Sequence, residues 1–104
     1  TRWNPEDMLL ASISACHKLW YLHFCAVNNI IVQEYRDEAI AIMDEGSSEH
    51  AGRFISATLN PRVRISSESD AVKALALHEN AHQACFIANS LNFPVKCEAL
   101  IEKD

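Results

Sequence analysis

From Met8 to Val27 the chain runs for twenty residues with a single charged side chain, Lys18. Asn4 is a favourable N-cap, Pro5 then falls at the first helical position, and Glu6 and Asp7 occupy the turn where the helix dipole favours anions. Trp3 and Met8 have the spacing of a hydrophobic staple across that start. The segment therefore reads as one helix from Asn4 to about Val27, with Asn28-Asn29 as its stop. A membrane span is the competing explanation for so apolar a stretch, but His17, Lys18 and His23 argue against it. A helix that is apolar almost all round must be covered on every side. It is expected at the centre of a core or inside a subunit interface.

The rest of the chain has to supply that cover. Ile30 to Met43 is rich in β-branched residues and reads as one or two strands. Asp44 to His50 is a polar turn. Arg53 to Ile65 reads as a second strand, with Ile55, Ala57 and Leu59 on one face, Pro61 at a bulge or an edge, and Arg62/Arg64 on a wet face opposite Val63/Ile65. Ser67-Glu68-Ser69-Asp70 offers caps for a second helix, Ala71 to Leu91, ended by Pro94. Val95 to Ile101 reads as a short last strand. This order gives an α+β fold with a mainly antiparallel sheet. Three strands are too few to cover two apolar helices, so a missing N-terminal piece or an oligomer is expected. At 104 residues the chain is expected to form a single domain over residues 1–104. A net charge of −5 argues against nucleic acid as a partner, because phosphate binding needs a basic face. No basic n-region precedes an apolar h-region, so no signal peptide is read. A cytoplasmic protein is expected.

Four cysteines, Cys16, Cys25, Cys85 and Cys97, form no CxxC pair. That pattern is unlike a disulfide framework or a zinc ribbon. On helix one Cys25 lies nine positions after Cys16 and points to the opposite side. The Cys16 face also carries Ile13, Leu19, Trp20, His23 and Val27. On helix two His78, Ala81, His82, Cys85 and Asn89 fall on one side. Cys16 and Cys85 can therefore meet if the two helices pack face to face. Two thiols so placed can reduce a peroxide, one being oxidised and the other resolving it to a disulfide. They can equally be inert core residues. His17 projects about 100° away from Cys16 and is poorly placed to act as its base, and Cys97 reads as core. His78-Glu79-Asn80-Ala81-His82 matches H-E-x-x-H, which on a helix can bind zinc, with Glu79 as general base and Glu102 as a nominal third ligand. His78, His82 and Cys85 form an alternative ligand set.

The residues Asn4-Pro5-Glu6, the cysteine ten positions later, Asn60-Pro61-Arg62-Val63, and Ala81-His82-Gln83-Ala84-Cys85-Phe86-Ile87-Ala88-Asn89-Ser90-Leu91-Asn92-Phe93-Pro94-Val95 resemble, in this order and spacing, the OsmC/Ohr family of thiol-dependent hydroperoxide reductases. The resemblance covers nearly the whole chain. It implies an intertwined homodimer with two long central helices packed on the sheets, and an active site at the subunit interface. It implies Cys16 as the peroxidatic cysteine, Cys85 as the resolving cysteine, and Glu6 as the carboxylate that holds an activating arginine. It also implies an organic hydroperoxide as substrate, a small or lipoyl-type dithiol as reductant, and no metal or prosthetic group. In the family that arginine precedes N-P-E along with the first strands. Here only Thr1, Arg2 and Trp3 do so, and Arg2 is not at the family's spacing, so the N-terminal segment is expected to be absent. A zinc protein using His78 and His82 and a non-catalytic dimeric binding module are the competing functions.

Overall fold

The computed structural model describes residues 4–104. It runs α1 (Pro5–Val27), β1 (Val32–Asp37), β2 (Ile40–Asp44), β3 (Arg53–Leu59), β4 (Pro61–Ile65), α2 (Ala71–Ala84), α3 (Phe86–Asn89), β5 (Val95–Cys97) and β6 (Leu100–Lys103). The α+β class expected from the sequence is the one found.

Helix α1 forms as its sequence dictates. The Asn4 side chain accepts a hydrogen bond from the Asp7 N–H at 2.7 Å, and Asn28 closes the other end, followed by Asn29 in the left-handed region at φ 61°. The staple involving Trp3 lies outside the described residues. The buried stripe of α1 is Ile13, His17, Tyr21 and Cys25, a four-residue spacing that keeps one face inward. Cys16 sits at the margin of that stripe. Leu19 and Val27, expected on a buried Cys16 face, are instead exposed in this chain.

Three strand-forming runs give six strands, because each run is interrupted at the same level. The breaks fall at Glu38-Ala39, at Asn60, and at Glu98-Ala99. They divide a three-stranded layer into two sheets of order β1-β4-β6 and β2-β3-β5. In each, the first pair is antiparallel and the C-terminal strand joins in parallel. The longer ladder in each sheet is thus the antiparallel one, as expected, and a shorter parallel strand is added to it. Local hydrogen bonds explain the shared break. The Asn60 N–H donates to Asp37 Oδ1 at 2.7 Å, the Asn60 amide donates to the Glu38 carbonyl at 3.0 Å, and the Glu98 N–H donates to the Leu59 carbonyl at 2.8 Å. Ser14 on α1 donates to the other oxygen of Asp37, which ties the break to the helix.

Pro61 is neither at a bulge nor on an edge. It opens β4, the central strand of its sheet, and pairs with Asp37. The first position of a strand is one that tolerates proline's missing N–H. Further along β4, Val63 and Ile65 are buried and Arg62 and Arg64 exposed, as the alternation requires.

The second helix also departs from expectation. It stops at Ala84 instead of running to Leu91, and Cys85 adopts an extended conformation at φ −70°, ψ 107°. Two side-chain bonds to the backbone compensate the interruption: Cys85 Sγ accepts from the Ala88 N–H at 3.5 Å, and the Asn89 amide donates to the Gln83 carbonyl at 2.8 Å. The short α3 ends at Asn89, so Pro94 terminates no helix. Its carbonyl accepts from Ala57 and starts the β3–β5 pairing.

The interior is divided as the sheets are. Tyr21, Cys25 and Ile30 pack with Val63, Ile65, Ala74, Leu77 and Ala81 in one cluster. Ile13 packs with Ala57 and Leu59 in the other, backed by Ile87, Phe93 and Val95. Helix α1 runs through both. Tyr21 joins α1 to α2: its hydroxyl donates to the Ala74 carbonyl at 2.8 Å and its ring stacks on His78 at 3.8 Å between centroids. Tyr21→Phe is expected to cost about 1 kcal/mol for the lost bond, and Tyr21→Ala about 4 kcal/mol for the cavity. Urea denaturation of the two variants checks the ratio, and equal losses would mean that the ring packing contributes little.

Candidate functional site

The sequence singled out Cys16 and Cys85 on separate helices, and the fold brings them together. Cys16 projects from the middle of α1 toward α2, where the break after Ala84 presents Cys85. The Cys16 thiol is near enough to act on the Cys85 thiol. Their environments differ. Cys85 is buried and Cys16 is half-buried, so Cys16 is the thiol open to an incoming molecule. Burial, reinforced by the Cys16 thiol, pushes the Cys85 pKa up to about 11. The Ala88 N–H counters this in part by donating to its sulfur. Trp20, one turn after Cys16, meets the ring of Phe86, the residue after Cys85, edge to face at 5.9 Å. The approach to the thiol pair is therefore apolar, with Phe86 largely exposed.

Glu6 is not beside this pair. It lies in the first turn of α1, ten residues and about 15 Å of helix rise from Cys16. It lines a surface cavity of about 480 Å³ with Asp7, Met43, Arg53 and Phe54. Within one chain its carboxylate has no direct route to the thiols. Cys25 is buried in the core and contacts Tyr21 instead, and burial raises its pKa.

The H-E-x-x-H residues do not form the zinc site that the motif suggests. His78 points inward and Glu79 outward, where it accepts from the Gln83 amide at 3.2 Å. Glu102 lies on the exposed face of β6 among Glu34, Arg36, Arg62 and Arg64. His78 pairs with His17 instead of His82, its Nδ1 lying 3.0 Å from His17 Nε2. Cys97 Sγ is 3.7 Å from the same His17 nitrogen. These three are the one group with metal-ligand proximity among the described residues. His17 and Cys97, which the sequence left as bystanders, thus take part in a buried polar cluster. One signal pointed to it: His17 shares the four-residue spacing of Ile13, Tyr21 and Cys25.

Residues 1–99 match the family of OsmC-like proteins. Among curated proteins nothing matches the chain. Solved structures do. An OsmC-like protein of unknown function from Vibrio cholerae is 32% identical, with a TM-score of 0.82, over 92% of this chain and 63% of that one. The chain therefore spans less than two thirds of that protein. The organic hydroperoxide resistance protein OhrB of Bacillus subtilis is 25% identical with a TM-score of 0.74, over 96% of this chain and 72% of that one. An OsmC-like protein from Mycoplasma pneumoniae shares the fold, with a TM-score of 0.84 at 9% identity, over 98% of this chain and 74% of that one.

Proposed function

This chain belongs to the family of OsmC-like proteins, and from that membership we propose that it reduces organic hydroperoxides through Cys16 and Cys85, using a dithiol as reductant. The observation that supports the proposal is the proximity of a half-buried thiol on α1 to a buried thiol at the break between α2 and α3. The Cys16 thiolate attacks one oxygen of the O–O bond. That bond breaks, the organic alkoxide leaves and takes up a proton as alcohol, and Cys16 becomes a sulfenic acid. Cys85, as thiolate, then attacks the Cys16 sulfur. A disulfide forms and hydroxide leaves as water. A dithiol restores both thiols and is itself oxidised to a disulfide. The Trp20–Phe86 rim favours a substrate with an apolar group over hydrogen peroxide.

A homodimer is part of this proposal. The chain exposes 6929 Å², against about 5900 Å² for a compact monomer of its mass. Its radius of gyration is 15.3 Å, against about 13 Å for a compact chain of this length. Leu19, Val27, Ile40, Ile42, Val72 and Phe86 are all exposed. The excess surface is of the size that one partner of a stable dimer buries. In such a dimer Glu6 of one protomer could serve a thiol pair of the other. The described residues contain no helix long and apolar enough to cross a membrane.

The test is peptide mapping after one equivalent of tert-butyl hydroperoxide is added to the reduced protein. A rapidly formed Cys16–Cys85 disulfide, reversed by dihydrolipoamide, is the expected product. Unmodified thiols, or oxidation spread over all four cysteines, would leave the fold without this activity.

A further inference from the structure

We propose that His17, His78 and Cys97 form a binding site for one transition-metal ion of the zinc class, separate from the Cys16/Cys85 pair. The three come from three elements that meet at the middle of the molecule: α1, α2 and β5. His17 Nε2 lies 3.0 Å from His78 Nδ1 and 3.7 Å from Cys97 Sγ, and one ligand atom from each residue falls within 4.8 Å of the others. In a tetrahedral zinc site, with metal–nitrogen bonds of about 2.0 Å and metal–sulfur bonds of about 2.3 Å, neighbouring ligand atoms are roughly 3.3–3.6 Å apart. The two His17 spacings lie within a few tenths of an ångström of those values, and His78 and Cys97 would close on each other from within 4.8 Å.

The chemistry of the donors agrees with the geometry. Imidazole and thiolate together select ions of intermediate softness, such as zinc, over magnesium or calcium. His17 and His78 are buried, and burial lowers both pKa values, so at neutral pH the rings are uncharged, as metal ligation requires. The surroundings are negative. Asp37, Glu79 and Glu98 all act on the Cys97 thiol, and Asp37 also acts on His17. A cation there would offset that charge. Binding keeps both imidazoles neutral, moving the proton they share to an outer ring nitrogen, and releases the Cys97 thiol proton to solvent. Three protein ligands leave a fourth position for water.

This site is not the H-E-x-x-H arrangement, because it uses only His78 of that motif. It also stands apart from hydroperoxide reduction, since none of its ligands is one of the two proposed redox cysteines.

Cobalt(II), which reports thiolate ligation by absorbance, is the probe. The reduced full chain, stripped of metal with EDTA and desalted, is titrated with it under argon. One equivalent should produce a thiolate-to-cobalt charge-transfer band together with the visible bands of a four-coordinate ion, and zinc should abolish both. Cys97→Ala should remove the charge-transfer band and weaken binding by more than about 100-fold, while Cys16→Ser and Cys85→Ser retain it. Absence of binding, or a band that survives Cys97→Ala and disappears in Cys85→Ser, would overturn the site. A second measurement needs no variant. Zinc should slow alkylation of Cys97 in the native chain, read by peptide mass, and an unchanged rate would equally overturn it.

Discussion

Cys16→Ser is expected to reduce hydroperoxide turnover to background, while Cys85→Ser should still consume one equivalent of peroxide and then stall. The difference follows from the position of each thiol. Cys16 is the accessible one, and a serine hydroxyl there cannot attack an O–O bond at neutral pH, because only a thiolate combines sufficient ionisation with sufficient nucleophilicity. Cys85 is buried behind it, with its thiol held up at about 11 by burial and by Cys16 itself. In the proposed mechanism its role begins once Cys16 is oxidised. Without it the sulfenic acid persists and can be trapped with dimedone. A steady-state assay with cumene hydroperoxide and dihydrolipoamide separates the cases, and the trapped adduct should map to Cys16 in the Cys85→Ser protein. Equal rates for Cys16→Ser and the parent would exclude Cys16 as the attacking group. Full turnover by Cys85→Ser would mean that the external dithiol resolves the sulfenic acid directly.

Acid should unfold the metal-free protein well above the carboxylate range. His17 titrates at about 4 because of burial first and His82 second, with Asp37 acting in the opposite direction. His78 titrates at about 3 because of burial first and His17 second. In the unfolded chain each titrates near 6.5. Both folded values lie below the unfolded ones, so this contribution to stability is complete above pH about 6.5 and is lost as the pH falls toward the folded values. Two such groups forfeit about 5 kcal/mol between pH 6.5 and 4.5, comparable to the whole stability of a small domain. The groups around the pair are Cys97 on β5, Asp37 on β1 and His82 on α2. The carboxylates that the structure holds low, Glu34 beside Arg64 and Asp44 accepting from the Gly46 N–H, titrate beneath that window. Urea midpoints measured in EDTA should fall steeply from pH 7 to 4.5. A flat profile would mean that the rings protonate in place or that water reaches them.

Helix α1 was legible to the residue because its signals are local: an Asn cap, Pro at the first turn, and two asparagines at the end. The face of α1 that carries Cys16 was legible too, since helical spacing fixes it, but its packing near Cys85 was only conditional in the sequence and Cys85 itself lies outside a helix. The level break across the strands was not. It depends on Asn60 and Asp37 bonding across neighbouring strands, which no periodicity reports. The interruption at Cys85 was missed because nothing in the sequence there resembles a breaker; a sulfur and an asparagine amide satisfy the freed backbone groups. The H-E-x-x-H motif misled for a related reason. Spacing says that two histidines share a helix face, but tertiary packing set His17 from another helix against His78.

One long helix serving two half-cores has a consequence for how the molecule melts. An isolated helix of this length gains most of its stability from what packs against it. Ile13 is held by one sheet and Tyr21 and Cys25 by the other, so losing either half strips contacts from the support on which its neighbour rests. The shared helix makes the two halves cooperative, although almost no strand pairing links them.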